Sequence, residues 1–199
     1  MYHIVAIERS YASGGNEIGE KLAKALGYKL FDRNILIEAA KNLNISPLYI
    51  ENLEETSSGS VIFNLSKAYK RNDTDENSRP LAEKLFAEER HIIEQAANEG
   101  GCVIVGRAAS YILRDREDCL RVFVNAEKEH RIQRGIQHEK LDRATAESTM
   151  KKVDKRRKGF FNSVTNWEWG SPDYFEICID SGKLGIDLSV KLLEAAVRG

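Results

Sequence analysis

The stretch IVAIERSYASGGNEIGEKLAKALGY, from Ile4 to Tyr28, decides the fold of this 199-residue chain. It begins with a short apolar run and passes through a loop of small residues. It then continues into a segment where Ile18, Leu22 and Leu26 recur at helical spacing, with Gly27 as the expected C-terminal cap. The stretch therefore predicts a strand, a glycine turn and a helix whose N-terminus is suited to an anion.

The turn departs from the usual phosphate-binding pattern, G-x-x-x-x-G-K-S/T, in which the lysine reaches the outer phosphates and the hydroxyl holds Mg²⁺. In the register that keeps the strand-to-helix distance, Arg9 and Gly14 take the two glycine positions. Gly15 then replaces the lysine, and Asn16 replaces the hydroxyl residue. A second register, through Gly14 and Gly19, moves the next lysine into the helix and is less suitable. Both phosphate binding and a plain connecting turn remain open interpretations.

Arginines elsewhere are candidates for the positive charge that the loop lacks. Arg107 follows the apolar run CVIVGR, so it should emerge at the carboxyl edge of a sheet and either bind phosphate or pair with Asp32. Two further pairs lie on predicted helices, the second in the basic run KKVDKRRKGFF on a helix expected to be mobile: Arg131 and Arg134, and Arg156 and Arg157. The first pair fits either a phosphate clamp or a solvated face. The second pair could stabilise the charge of a transferred phosphate, or its basic run could be a plain nucleic-acid or surface patch.

Size and composition predict a single domain over residues 1–199. Hydrophobic residues make up 42% of the chain, and no apolar run approaches the roughly 20 residues of a membrane span. The N-terminal MYHIVAIE has no basic region typical of a signal peptide, so we expect a cytoplasmic protein. A formal net charge of -1 gives no general attraction for nucleic acid, which is therefore not an expected partner.

The cysteines and histidines do not indicate a disulfide framework or a metal centre. Cys102, Cys119 and Cys178 are odd in number and widely spaced, and each stands in an apolar strand-like run. This arrangement predicts buried, reduced thiols. The four histidines show no ligand spacing with cysteines or carboxylates, so no protein-bound metal is predicted.

Strand-like and helix-like segments alternate along the chain, which predicts a parallel sheet with helices on both faces and a ligand beyond the carboxyl ends of the strands. The last strand is expected over Tyr174 to Asp180. The closing helix is expected over Asp187 to Val197, with Leu188, Leu192, Leu193 and Ala196 facing inward. The segment from Thr56 to Arg79 is polar and rich in turn residues, so it is expected to be mobile or ordered by a partner.

Taken together, these motifs resemble the cytidylate kinase-like family, a branch of the P-loop nucleoside monophosphate kinases. The likeness lies in RSYASGGNEIGEKLAKALGYKLFDRNIL, CVIVGRAASYIL, RVFVNAEKEHRIQR, DKRRKGFFN and WGSPDYFEICIDSGKLGID, which cover nearly the whole chain. The resemblance implies an α/β, three-layer P-loop kinase fold with a five-stranded parallel sheet flanked by helices. It further implies a monophosphate-binding excursion at residues 32–79 and a lid-like helical region at residues 127–160.

The resemblance also implies cofactors, partners and site residues. ATP and Mg²⁺ would be the cofactors and nucleotides the small-molecule partners, and a homo-oligomer stays open. The donor would be bound by Ser10, Ala12, Ser13, Gly14, Gly15, Asn16 and, near the base, Lys183. The acceptor would lie near Asp32, Arg33 and Arg107. The catalytic cations would be Arg9, Arg107, Arg131, Arg134, Arg156 and Arg157.

Departures from the cytidylate kinases leave three functions open. In those enzymes Lys-Ser stands where this chain has Gly15 and Asn16, and an acid stands in place of Ala108. The favoured hypothesis is an ATP- and Mg²⁺-dependent phosphotransferase acting on a nucleotide such as CMP or dCMP, in which arginines replace the lysine. The second is a nucleotide- or anion-binding module without catalysis. The third is an interaction protein that binds a partner through the polar segment and the basic helix.

Overall fold

The computed structural model describes residues 1–46 and 81–199, and within these ranges five parallel strands form one sheet. The strands are β1 (Ile4–Arg9), β2 (Lys29–Phe31), β3 (Cys102–Val105), β4 (Cys119–Asn125) and β5 (Ile177–Asp180). Their order across the sheet is β2-β3-β1-β4-β5. Ile4 is in register with Cys102 on one side and Cys119 on the other, so the carboxyl ends of the strands meet at one edge.

Helices cover both faces of this sheet. They are α1 (Gly15–Leu26), α2 (Asn34–Asn42), α3 (Leu81–Glu99), α4 (Ala109–Ile112), α5 (Lys128–Glu139), α6 (Arg143–Val164), α7 (Ser181–Leu184) and α8 (Ile186–Arg198). The alternation of strands and helices confirms the predicted α/β architecture. None of the helices in the described ranges is both long and apolar enough to cross a bilayer.

Two apolar clusters lie on opposite faces of the sheet. Ile4 and Ala6 of β1 pack with residues of α3, α4 and the end of α6, whereas Val5 and Ile7 pack with residues of α1 and α8. Successive side chains of a strand point to opposite faces, so this alternation follows from the strand itself. All four residues are at most 1% exposed, which explains why β1 reads as a continuous apolar run.

The two ends of α1 are set by glycines in the left-handed region. Gly14, at the N-cap, has φ 77°, and Gly27, at the C-cap, has φ 69° and donates from its backbone N–H to the Lys24 carbonyl. A Cβ atom at Gly14 would also lie 2.4 Å from Cδ1 of Ile186, so the residue is constrained by packing as well as by φ. The predicted strand, turn and helix are therefore confirmed.

The lid-like range 127–160 contains α5 and most of α6, between β4 and β5. The end of α6 differs from the mobile helix expected from sequence, because Phe161 and Val164 are at most 4% exposed and belong to the core. Arg156 and Arg157 lie on α6 just before these buried residues. The range 32–79 is described only as far as residue 46, where it holds α2, and the polar segment from Thr56 to Arg79 lies outside the described residues.

The last part of the chain corrects two predictions. The strand begins at Ile177 instead of Tyr174, because Pro172–Tyr174 forms a 3-10 turn. Leu188 and Leu192 were expected to face inward, but each is 46% exposed. Leu193 is buried and Ala196 packs against the same cluster, as predicted. Val190 and Val197 complete the side of α8 that packs on the core. The leucine spacing alone fits two adjacent helix faces, and contact with α1 selects one of them.

The three cysteines form no disulfide with one another in the structure, and two of them are buried. Cys102 and Cys119 stand on the inner strands β3 and β4 and are at most 3% exposed. Cys178 is exposed, contrary to the prediction. It lies on β5, which stands at the edge of the sheet and, among the strands that the structure describes, pairs with β4 alone. An apolar strand pattern does not reveal which strand stands at an edge.

Candidate anion-binding site

A cavity of about 520 Å³ lies at the carboxyl edge of the sheet, where the sequence predicted a ligand. The loop between β1 and α1 contributes Arg9, Ser10, Tyr11, Ala12, Gly14, Gly15 and Asn16 to its wall. Leu30 and Asp32 stand at the end of β2, and Val105 at the end of β3. Arg134 and Arg157 come from α5 and α6. Three arginines from three different elements therefore meet around one cavity.

The N-terminus of α1 borders this cavity with backbone donors. The first N–H groups of a helix have no intrahelical partner, and in α1 the first intrahelical bond of this kind runs from Ile18 N–H to the Gly14 carbonyl at 2.9 Å. Gly15 and Asn16 precede that bond and line the cavity. Their amides and the positive end of the helix dipole favour an anion here.

Serine hydroxyls hold the loop in its shape. The Ser13 hydroxyl donates to the carbonyls of Ser10 at 2.9 Å and Val124 at 3.1 Å. The Ser181 hydroxyl donates to the Ser13 carbonyl at 2.5 Å and to the Asn125 carbonyl at 2.9 Å. Ser13, which was predicted to bind the donor, is 1% exposed and lies behind the cavity wall. Its hydroxyl connects the loop to the end of β4. Ser181 was not predicted, because only the fold brings it to the loop.

Arg134 faces the cavity but is paired with an acid. Its guanidinium donates to the carboxylate of Glu17, which Lys21 also contacts at 3.1 Å. Partial burial alone would raise the pKa of Glu17, but hydrogen bonds from Arg134 and Lys21 hold that pKa below its ordinary value. A carboxylate therefore stays ionised in the first turn of α1, close to where a phosphate would bind.

Arg131 differs from Arg134, although the sequence predicted that both would clamp a phosphate. Its Nη1 donates to the Asp154 carboxylate at 2.5 Å and to the Tyr11 carbonyl at 3.3 Å. Asp154 in turn accepts from the Tyr11 backbone N–H at 2.7 Å. Arg131 lies outside the cavity wall, and in this arrangement it holds the loop from behind.

Arg157 reaches the loop from α6. Its Nη1 donates to the carbonyl of Arg9 at 3.1 Å, and the side chain lines the cavity. Burial lowers the pKa of the Arg157 guanidinium to about 9, so the group remains cationic at neutral pH. Its neighbour Arg156 lies outside the wall. Of the two arginines in the basic run, the structure brings only Arg157 into the site.

Glu8 is a buried acid directly behind this cluster. It is 5% exposed, and burial raises its pKa to about 7 even though Arg9, Arg157 and Arg107 lower it. Its Oε1 atom has no hydrogen-bond partner among the described residues. A buried carboxylate with such a shift, next to several arginines, is typical of functional sites.

Arg107 forms an ion pair with Glu89 at 3.2 Å, whereas the sequence suggested Asp32 as a partner. Glu89 is 1% exposed, and no sequence signal distinguished it from the other acids of α3. Gly106, Arg107 and Ala108 have φ of 83°, 59° and 54°, so three successive residues after β3 are left-handed. Such strain at a strand exit is a feature of functional loops.

The remaining predicted residues lie at or beyond the edge of the site. Asp32 is in the wall, whereas Arg33 is exposed at the start of α2 and Arg107 is outside the wall. Lys183 is exposed, outside the wall, and pairs with Glu127 at 3.4 Å. Within the described residues, no group of three or more histidine, cysteine or acidic side chains is placed to hold a metal ion.

Comparison with known proteins gives one family and one fold. The model of the cytidylate kinase-like family matches residues 4–183. A search of curated proteins finds no match. An uncharacterized protein from Eubacterium ventriosum is 25% identical, with 98% of each chain covered and a TM-score of 0.74.

Two shikimate kinases show the same fold at low identity. The enzyme from Bacteroides thetaiotaomicron is 12% identical, with 98% of each chain covered and a TM-score of 0.55. The enzyme from Acinetobacter baumannii, solved in complex with shikimate, is also 12% identical, with 100% of this chain and 94% of that chain covered and a TM-score of 0.54. The fold is therefore the three-layer α/β fold of P-loop kinases.

Proposed function

The chain belongs to the cytidylate kinase-like family, and we propose that it is an ATP- and Mg²⁺-dependent phosphotransferase acting on a nucleoside monophosphate such as CMP or dCMP. One observation carries this proposal. Arg9, Arg134 and Arg157 come from three elements and line one cavity beside the N-terminus of α1. Phosphoryl transfer depends mainly on positioning and charge neutralisation, which converging guanidinium groups and helix amides supply.

The donor phosphates would bind at the loop, and the acceptor would bind toward Asp32. Gly15 and Asn16 would donate backbone N–H groups to the donor. Arg134 would exchange its contact with Glu17 for a phosphate oxygen, which makes a bidentate contact available. Asp32 and Leu30 offer a carboxylate and an apolar surface at the end of β2 for the acceptor.

The residues present fit the phosphates better than they fit a resident metal ion. The Asn16 side-chain oxygen, which stands at the position of the metal-binding hydroxyl, accepts a hydrogen bond from Arg9 Nε at 2.9 Å. Mg²⁺ would therefore be held mainly by the nucleotide phosphates and water, with at most one or two protein oxygens. When bound, it would neutralise charge on the donor phosphates.

The other predicted cations take supporting parts in this proposal. Arg131 would hold the loop through Tyr11, and Arg107 would hold the strained turn after β3 through Glu89. Arg156, Arg33 and Lys183 would reach a nucleotide only after a closure that binding induces. These assignments rest on the resemblance together with the positions of the side chains.

A second candidate function is nucleotide or anion binding without transfer. The pairing of Arg134 with Glu17 favours it, because a carboxylate already neutralises one of the three arginines. In that case a nucleotide would stabilise the folded protein, but no product would form. An interaction protein, the third hypothesis, would show neither effect.

The test is ADP release with ATP and Mg²⁺ against each ribo- and deoxyribonucleoside monophosphate, with shikimate as an acceptor outside the nucleotide class. Arg157→Ala removes a cation from the wall, whereas Arg143→Ala removes an exposed arginine of the same helix that pairs with Glu129. We expect turnover with one nucleotide, reduced at least about a hundredfold in Arg157→Ala and unchanged in Arg143→Ala. Thermal stabilisation by nucleotides without turnover would favour the binding module instead.

A further inference from the structure

We propose that Arg9 takes the place of the missing lysine, entering the phosphate site from the first glycine position of the loop. Gly15 would then be the residue that makes room for it. This inference rests on the proposed function, because it identifies the cation that acts on the transferred phosphate. It also links two departures from the usual loop, the arginine at position 9 and the glycine at position 15, to one cause.

The space for a side chain at the lysine position is already occupied. A Cβ atom at Gly15 would lie 2.5 Å from Cβ and 2.9 Å from Cγ of Arg9, and folded proteins do not contain carbon contacts that short. Gly15 is the first residue of α1 and is not left-handed, so backbone conformation alone does not require glycine there. The requirement comes from Arg9, and it excludes lysine as well as alanine.

The far end of Arg9 also depends on a missing side chain. A Cβ atom at Gly106 would lie 2.2 Å from Nη1 and 3.1 Å from Cζ of Arg9. Between the two glycines, Nε of Arg9 donates to Oδ1 of Asn16 at 2.9 Å. Gly15 admits the stem, Asn16 orients the guanidinium, and Gly106 admits its tip. All three loop departures, at residues 9, 15 and 16, are therefore explained by one side chain.

The position of the guanidinium suits the reaction. It lies between the donor loop, which it contacts through Asn16, and the end of β3 at Gly106. The transferred phosphoryl group passes between donor and acceptor, so a cation in this position can contact it throughout. A planar guanidinium can bind two phosphate oxygens at once, which an ammonium group cannot do with the same geometry.

A double-mutant cycle of melting temperatures tests, without any ligand, whether Arg9 occupies the space that a side chain at position 15 would need. In the wild-type protein, Gly15→Ala places its Cβ against Arg9, so we expect the melting temperature to fall by several degrees. In an Arg9→Gly background the same substitution meets no such contact and adds a better helix former, so we expect an unchanged or higher melting temperature. Equal effects of Gly15→Ala in the two backgrounds would show that Arg9 is not what excludes a side chain at position 15.

A binding experiment tests the role of the cation, with MgATP and sodium tripolyphosphate as probes in thermal-shift titrations. Arg9→Gly should lose most of the stabilisation, and Gly15→Lys alone should not bind better than wild type. The double variant Arg9→Gly/Gly15→Lys should regain stabilisation relative to Arg9→Gly, because the lysine then has room. Wild-type binding by Arg9→Gly would contradict the inference.

The two experiments separate this inference from the proposed function. If neither probe stabilises the wild-type protein, the proposed function fails and the role of Arg9 fails with it. The melting temperatures of the double-mutant cycle still decide whether Arg9 excludes a side chain at position 15. If the wild-type protein binds both probes and Arg9→Gly binds them equally well, only the role of Arg9 is overturned.

Discussion

The carboxylate of Asp154 accepts a hydrogen bond from the backbone N–H of Tyr11 at 2.7 Å, which ties α6 to the loop between β1 and α1. Arg131 completes the contact by donating to Asp154 at 2.5 Å and to the Tyr11 carbonyl at 3.3 Å. Both backbone groups of Tyr11 are therefore held by the region between β4 and β5. The shape of the loop depends on that region as well as on its own glycines.

Removing this contact should weaken nucleotide binding. Asp154→Ala leaves the Tyr11 N–H without its acceptor and Arg131 without its carboxylate partner, so we expect KM for ATP to rise about tenfold and the melting temperature to fall. Asp154→Asn keeps an oxygen that can accept from Tyr11, and it should lie between Ala and wild type. Asp115→Ala, which removes an exposed aspartate, is the matched control. An unchanged KM in Asp154→Ala would show that the loop holds its shape without α6.

Glu8 should make the stability of the protein depend on pH. Burial raises its pKa from 4.5 to about 7 in the folded state. Between these values the folded protein keeps a proton that the unfolded chain releases. The contribution of Glu8 to stability is therefore full below about pH 4.5 and is lost as the pH rises through about 7.

The measurement is urea denaturation from about pH 5 to about pH 8 on wild type and Glu8→Gln. The free energy of unfolding of wild type, taken relative to that of the variant, should fall by roughly 2–3 kcal/mol over this range. Glu117→Gln controls for removing one negative charge at an exposed position. Parallel profiles for wild type and Glu8→Gln would mean that Glu8 is ionised throughout.

The sequence predicted the sheet and the loop because these depend on local patterns. β1 is apolar at every position from Ile4 to Ile7, and glycines mark both ends of α1, so strand, turn and helix could be read directly. The place of the site followed from the rule that ligands bind beyond the carboxyl ends of parallel strands. Arg9 and Asp32, at the exits of β1 and β2, reach the cavity as this rule suggested, and Arg134 and Arg157 reach it from helices.

The partners of the arginines could not be predicted in the same way. Asp154 lies 143 residues from Tyr11 in the chain, and Ser181 lies 168 residues from Ser13. Neither contact is associated with a local sequence pattern from which it could be predicted. The contact of Arg131 with Asp154 could not be predicted for the same reason.

Only one of the three cysteines should react in the folded protein. Burial raises the pKa of Cys102 to about 11 and that of Cys119 to about 12, and neither side chain is accessible. Cys178 is exposed on β5. A disulfide reagent such as DTNB should titrate one thiol per folded chain and three after unfolding, and Cys178→Ser should leave none in the folded chain. Fast reaction of more than one thiol would contradict the burial of β3 and β4.

Adjacent leucines of α8 test which face of that helix packs on the core. Leu193 is fully buried against α1 and the sheet, whereas Leu192 is 46% exposed. Leu193→Ala should lower the free energy of unfolding by about 3 kcal/mol, because it removes buried methyl groups and leaves a cavity. Leu192→Ala should change it by less than about 1 kcal/mol.

Because the two substitutions are chemically identical and lie in the same helix, propensity cancels between them and only burial differs. Urea denaturation of both variants at one pH is sufficient. A larger loss in Leu192→Ala than in Leu193→Ala would mean that α8 turns Leu192, and not Leu193, toward the core. The packing of Ile186 against Gly14 would then be wrong as well, since the same helix carries both contacts.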